Sequence, residues 1–439
     1  MPVSKQNSKK SQLFSLDFIS RFLPDFRQDA ADSFNGSSKD FTRNRSLPLP
    51  IVLALLINMV RPGKRFGYQE VINRFFSDTG LALCNETTPP SKSAFCKARK
   101  KLPFALLSNL FEKAVNQAND LAGKTCPRWN GFRLLAIDGT MKNLPNSQEL
   151  RDSFGVPYGA HYPQLLLCAL FDVLAKIPIS MTWGSYASSE RAMALNLIPG
   201  LGRGDLLLLD RGYPSFDLFA QLIAQGADFL VRLPNYGLFG EVKTFVERGK
   251  RDGKVTIMPP KALLRECKKD NQPAPQPITL RVVKVSLPGK KTALFITTLT
   301  DRNTYPLRSL RDLYHLRWEE EEFYKLIKEL LDAENFRGMS CPFIDQEIMA
   351  IYLYCLLARI MMMETALLND IPVQDIQQQG AFLAVTRFID KIWISRSLEE
   401  CEHWLLRCLT EISWQKYRKR PGRSYPRKSK KGHGKWARR

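Results

Sequence analysis

The spacing of apolar positions changes several times along the chain, and each change predicts a different kind of element. Ile51–Val60 (IVLALLINMV) and Tyr68–Phe76 repeat at helical spacing, and Ser91 stands as an N-cap before a third, basic helix, KSAFCKARKKL. This texture ends near Ala122, after which short apolar runs follow. Phe132–Ile137 ends at Asp138-Gly139-Thr140, Leu165–Leu174 and Ile177–Trp183 flank Ala175-Lys176, and the four leucines of Leu206–Leu209 end at Asp210-Arg211-Gly212. Helical stretches at Ser188–Ile198 and Phe216–Ala224 are interleaved with these runs, and Phe229–Leu233 closes the series. The order strand, strand, strand, helix, strand, helix, strand predicts an α/β domain with a central sheet.

Residues 234–308 do not continue the alternation. Their Pro, Gly and Lys clusters surround two good strands, Ile278–Leu287 and Thr292–Thr298, and predict a β-rich insertion. From Ser309 the pattern is helical again over 309–332, 344–368, 372–390 and 396–411. Five parts follow: a helical N-terminal region at 1–127, the first part of an α/β core at 128–233, the insertion at 234–308, the second part of the core at 309–370, and a helical C-terminal region with a basic tail at 371–439.

Composition narrows the function. With 439 residues, 44% hydrophobic and 25% charged, the chain can build a large core, and wholesale disorder is excluded. Sixty-five Lys and Arg against 43 Asp and Glu leave +22, of which Lys416–Arg439 alone carries twelve cations and no acid. Such a balance points to a polyanionic partner, nucleic acid or an acidic membrane surface. Ile348–Met363 is the most membrane-like stretch, but Arg359 and Glu364 interrupt it, so a buried helix is expected and not a span. The N-terminal MPVSKQNSKKSQ has no apolar leader core, and the nine cysteines form no C-x-x-C pair. A cytoplasmic protein with reduced thiols is the expectation.

Candidate chemistry lies at the ends of two apolar runs. Asp138 and Asp210 each follow a buried strand, where an ionised carboxylate is costly unless it is paired, hydrogen-bonded or metal-bound. A turn or cap role for both remains an alternative. In the helix SLRDLYHLRWEEEEFYKLIKELLD, a period of about 100° per residue puts Tyr314, Arg317, Glu321 and Lys328 on one narrow stripe. Of the four successive glutamates only Glu321 shares that stripe, whereas Glu320 falls in the apolar sector. The bland alternative is a solvated helix with a Glu321–Lys325 pair. Three carboxylates of this kind suit Mg²⁺, and Arg317 and Lys328 suit substrate phosphates.

These residues resemble a known family. Tyr314, Arg317, Glu321 and Lys328 fit Tyr-(2)-Arg-(3)-Glu-(6)-Lys, the signature of bacterial DDE transposases of the insertion-sequence-four type. LLAIDGT around Asp138 and LLLLDRGYPSF around Asp210 resemble the family's first two acidic segments. AQGADFLVRL is also similar and places Arg232 at a DNA-contacting position. The resemblance spans roughly residues 90–370. It implies a ribonuclease-H-like core with a β-rich insertion, flanked by helical regions. It further implies Mg²⁺-dependent cleavage (Mn²⁺ substituting) at transposon ends, followed by attack of the freed 3′-hydroxyl on target DNA. Asp138, Asp210 and Glu321 would hold the metals, Tyr314, Arg317 and Lys328 would position phosphates, and double-stranded DNA would be bound by a homodimer at the nucleoid, with no membrane involved. One departure concerns a base-stacking Trp in the insertion: no Trp lies between Trp183 and Trp318, leaving Phe239 or Phe295 as substitutes.

In the N-terminal region, Lys92, Lys97 and Arg99 could contact DNA from the helix after Pro90, although a solvated basic face fits equally. A catalytically inactive, transposase-derived DNA-binding regulator and a metal-dependent nuclease without strand transfer both remain open alternatives.

Overall fold

The computed structural model describes residues 41, 47–60, 67–77, 88–234, 238–287, 291–330, 336–395 and 397–417. Four helices come first: α1 (Leu49–Val60), α2 (Tyr68–Phe75), α3 (Lys92–Arg99) and α4 (Phe104–Thr125). Ser91 caps α3 by accepting a hydrogen bond from the Ala94 N–H. Then follow β1 (Arg133–Asn143), α5 (Gln148–Phe154), β2 (Gln164–Asp172), β3 (Ile177–Ser185), α6 (Glu190–Leu197), β4 (Asp205–Leu209), α7 (Phe216–Ala224) and β5 (Asp228–Leu233). The insertion supplies α8 (Gly240–Glu247), β6 (Asp252–Ile257), α9 (Lys261–Lys269), β7 (Ile278–Leu287) and β8 (Lys291–Thr297). The chain closes with α10 (Leu307–His315), α11 (Trp318–Leu330), α12 (Cys341–Asn369), α13 (Gln378–Ile394) and α14 (Leu398–Ser413).

All eight strands join one sheet in the order β3-β2-β1-β4-β5-β8-β7-β6. β1, β2 and β3 form an antiparallel meander, while β4 and β5 run parallel to β1, returned by the crossover helices α6 and α7. This is the strand order of a ribonuclease-H-like core, and it agrees with the α/β expectation. The insertion does not form a separate β unit. β8 pairs antiparallel with β5, with Leu233 opposite Leu294, so β8, β7 and β6 widen the same sheet. It also carries two helices, so it is less uniformly β than its sequence predicts.

Burial explains which helices go where. α1 is buried over nearly its whole surface, and α12 is buried along most of its length, so both are interior helices. α12 is long and apolar enough to cross a membrane, but it packs against α1, α4 and α14 instead. Its Arg359 is tolerated inside because Nε and Nη2 donate to the Ala175 carbonyl at 3.1 and 2.7 Å. The helices of the N-terminal stretch thus share one core with those of the C-terminal stretch and with Leu165, Leu167 and Phe171 of β2. On the other side, α6 and α7 cover β1, β4 and β5, and α10 covers Leu134, Leu208 and Phe295 through Leu310 and Leu313.

Two boundaries matter for the site. The helix expected over 309–332 is two helices, α10 and α11, broken at Leu316-Arg317. And β1 does not stop before Asp138 but continues to Asn143, paired with β2 throughout.

Candidate active site

The parallel pairing of β1 with β4 ends at Ala136↔Leu208. Asp138 lies two residues beyond that pair and Asp210 immediately after β4, so both stand at the carboxyl end of parallel strands, where α/β sheets build their sites. β1 beyond Ala136 has lost its β4 neighbour, and backbone groups on that edge need other partners. α11 supplies one: the Tyr324 hydroxyl donates to the Asp138 carbonyl at 2.8 Å. Phe323 stacks on Phe171 of β2 with centroids 4.5 Å apart, and Lys176 in the β2–β3 turn pairs with Glu319 at 2.7 Å. These contacts fix the third acidic segment against the strand that carries the first. Tyr324→Phe should therefore lower stability by about 1–2 kcal/mol, measured by chemical denaturation.

Arg317 joins the acids. Its Nη2 donates to Glu321 Oε1 at 2.6 Å, and its Nη1 lies 3.7 Å from Asp138 Oδ2. Nη1 is buried and has no hydrogen-bond partner. Burial pushes the Asp138 carboxyl up to about 6, against the opposing pull of Arg317 and the Gly139 N–H, and the charges of Asp210 and Glu190 add to the rise. Asp138 Oδ1 accepts from the Gly139 N–H at 3.0 Å, and Asp210 Oδ1 from the Gly212 N–H at 2.6 Å. The Tyr314 ring lies 5.9 Å from the Arg317 guanidinium and packs on Phe295 at 4.7 Å. Burial raises the Tyr314 phenol pKa, and Arg317, Asp210 and Arg232 all act on it electrostatically. Asp138, Asp210, Glu321, Tyr314, Arg317 and Arg232 are therefore neighbours, drawn from β1, the β4 end, β5, α10 and α11. Lys328 lies on α11, but its side chain is outside the described residues.

The four glutamates of α11 separate cleanly. Glu321 takes Arg317, while Lys325 pairs with Glu322 at 2.8 Å and not with Glu321. Glu320 is fully buried, its carboxyl oxygens without a hydrogen-bond partner, and burial raises its pKa well above the carboxylate range. The buried Tyr213 hydroxyl is likewise unpartnered, and both groups interact electrostatically with Asp138. For Glu320 the Arg317 charge and the Asp138 backbone offset part of the burial cost.

One acid was not anticipated. Glu190 opens α6 after the Ser189 cap and presses on Gly139, where a Cβ would stand 2.6 Å from Glu190 Oε1. A side chain at position 139 would require the Glu190 carboxyl to shift. In sequence Glu190 looks like an ordinary first-turn acid, and only the fold brings it to Asp138. Its neighbour Arg191 donates to the Gly212 carbonyl at 2.7 Å, tying α6 to the Asp210 loop.

Two expectations are corrected. Arg99 is not a surface contact. It is fully buried, donating to Gln346 Oε1, the Tyr68 hydroxyl, Glu347 Oε1 and the Phe343 carbonyl, whereas Lys92 and Lys97 on the same helix are exposed. A helix eight residues long that docks on a core must bury one face, and here Arg99 lies on it. Phe295 cannot stack on a base either, because it is 1% exposed beneath Tyr314. Phe239 is half-buried against Phe219 at 5.9 Å.

Among the described residues no three Cys, His, Asp or Glu side chains are already gathered for a metal, and Arg317 stands between Asp138 and Glu321. In this ribonuclease-H-like sheet Asp138 lies just beyond the β1–β4 pairing and Asp210 just after β4, with Glu321 of α11 and Arg317 beside Asp138. The chain belongs to the transposase DDE domain family, whose pattern matches residues 129–356. It is 26% identical over 335 residues to the transposase InsG for insertion sequence element IS4 of Escherichia coli (strain K12), covering 74% of this chain and 72% of that one. It is also 26% identical over 145 residues to the putative transposase InsZ of the same organism, covering 31% of this chain and 48% of that one. These similarities make it a DDE transposase of the insertion-sequence-four type. The piggyBac transposase, solved by cryo-EM in a synaptic complex with hairpin DNA, superposes with a TM-score of 0.47 at 11% identity, over 94% of this chain and 87% of that one.

Proposed function

We propose that this transposase cleaves DNA at insertion-sequence ends and transfers the freed 3′-hydroxyl into target DNA, using Mg²⁺, with Mn²⁺ able to replace it. Arg317 pairs with both Asp138 and Glu321, and the Asp210 charge acts on Asp138 from the end of β4; this arrangement carries the reading. A cation already bridges two of the carboxylates, and the donor set is all oxygen, which fits a hard divalent ion. Asp138, Asp210 and Glu321 would hold it. When bound, such ions supply activation of the attacking hydroxyl and charge stabilisation at the leaving oxygen.

The rest is the work of the chain's own residues. The Gly139 and Gly212 amides hold the Asp138 and Asp210 carboxylates in fixed orientations. Arg317 keeps one arm on Glu321 and offers Nη1, which faces Asp138 at 3.7 Å without a hydrogen bond, to a phosphate oxygen. Tyr314, Arg232 and Lys328 flank that position. Lys92, Lys97 and the basic stretch to Arg439 hold DNA through its backbone, the part beyond residue 417 lying outside the described residues. Paired subunits act on two ends, in the bacterial cytoplasm.

Arg317→Lys keeps the charge but loses the planar fork. We expect cleavage to fall about ten- to a hundredfold with an unchanged melting temperature, compared by single-turnover assay. The central test is strand transfer with Mg²⁺ on a plasmid bearing the element. Cutting and joining support the proposal. Cutting alone indicates a nuclease, and binding alone a regulator.

A further inference from the structure

A second basic feature lies away from the acids. A cleft of about 500 Å³ opens between the β6–β8 edge of the sheet and the start of α10. Arg251, Lys284, Arg308 and Arg311 line it together with Ser286 and Thr292, and among the described residues no carboxylate does. Arg308 and Arg311 share Asp312, which stands outside the lining, whereas neither Arg251 nor Lys284 has an ion-pair partner among the described residues. Cations left without counter-charges in one cleft make a site for phosphate oxygens.

Its position relates it to the acids. β8 runs antiparallel to β5, and Thr292, opposite Ser286, precedes Leu294, which faces Leu233 at the carboxyl end of β5. The cleft is therefore at the same end of the sheet as Asp138 and Asp210. α10 connects the two places: Arg308 and Arg311 line the cleft, and Tyr314, three residues on, reaches Arg317. At three-residue spacing each of these side chains neighbours the next along the helix. From Arg308 to Tyr314 is about 9 Å at 1.5 Å per residue, roughly three nucleotides of a strand advancing 3.4 Å each.

We infer that this cleft binds the sugar-phosphate backbone of the DNA strand a few nucleotides from the scissile position, with Arg251 and Lys284 as its phosphate contacts. The inference rests on the proposed function and adds a binding site to it. The test uses the full chain, a fluorescent random-sequence DNA duplex, and affinity measured across about 50–200 mM salt. Each phosphate contact contributes about 0.9 to the slope of log affinity against log salt, so Arg251→Ser with Lys284→Ser should reduce the slope by about 1.8. The exchange Arg251→Lys with Lys284→Arg should retain it. An equal charge removal elsewhere, Lys268→Ser with Lys269→Ser on the exposed end of α9, should leave the slope unchanged. An unaltered slope in the cleft variant overturns the inference, as does the same decrease in the α9 variant, which would mean net charge alone. Absence of salt-dependent binding by the unaltered protein would instead defeat the proposed function, and the cleft with it.

Discussion

Replacing Asp138 or Asp210 by Asn, or Glu321 by Gln, should lower DNA cleavage by about a thousandfold or more while DNA binding and fold persist. The amides keep the shape of each side chain and its acceptor oxygen, so the Gly139 and Gly212 N–H groups retain their partners. What disappears is the negative charge that would hold a divalent ion. DNA binding should survive because the cations proposed to hold the phosphates, among them Arg232 and Lys92, lie outside this set. Asp138 is the sharpest case. Its burial already disfavours the charged form, so losing the charge costs the fold little. Cleavage rates with Mg²⁺, alongside melting temperatures, decide the matter. A variant that cuts at the parental rate removes its residue from the active site.

Arg99→Ala should destabilise the protein by about 3–5 kcal/mol, the largest stability effect we expect from one surface-sounding arginine. The guanidinium lies 4.2 Å over the Phe343 ring, pairs with Glu347 at 3.3 Å where both side chains are buried, and donates to groups on α2 and α12. Truncation leaves the Glu347 carboxylate in the interior with only the Arg337 N–H and the Tyr68 hydroxyl as donors. An unpaired buried charge costs more than the pair contributed, so Arg99→Met together with Glu347→Leu should recover much of the loss. Urea denaturation distinguishes this from a DNA-contact role. If Arg99→Ala weakened DNA binding at unchanged stability, Arg99 would be a DNA contact after all.

The strands of the core were legible because each is a short, nearly continuous apolar run, as a strand covered on both faces must be. β7 spans Ile278–Leu287 and α7 spans Phe216–Ala224 as the sequence predicts, and β4 starts one residue earlier. The association of Tyr314, Arg317 and Glu321 was also readable, even though the single helix assumed for it breaks at Leu316-Arg317. The break lies between residues close in sequence, so Arg317 still reaches both neighbours. Other features could not be read locally. Arg99 looks like its neighbours Lys97 and Lys100, and what buries it is α12, more than 240 residues away in the chain. Glu190 is a first-turn acid until β1 and α6 are placed side by side, and only then does its carboxyl stand against Gly139 beside Asp138.

By itself, then, the sequence determined the kinds of most core elements, three candidate acids and the short-range motif around the last of them, because periodicity and spacing are properties of neighbouring residues. Only the tertiary structure decided that the insertion extends the central sheet through β8, that the N-terminal helices share a core with α12, and that Glu320 lies buried beneath Asp138. Those outcomes depend on which surfaces meet over long separations, where burial and pairing energies are set by partners that no local pattern names.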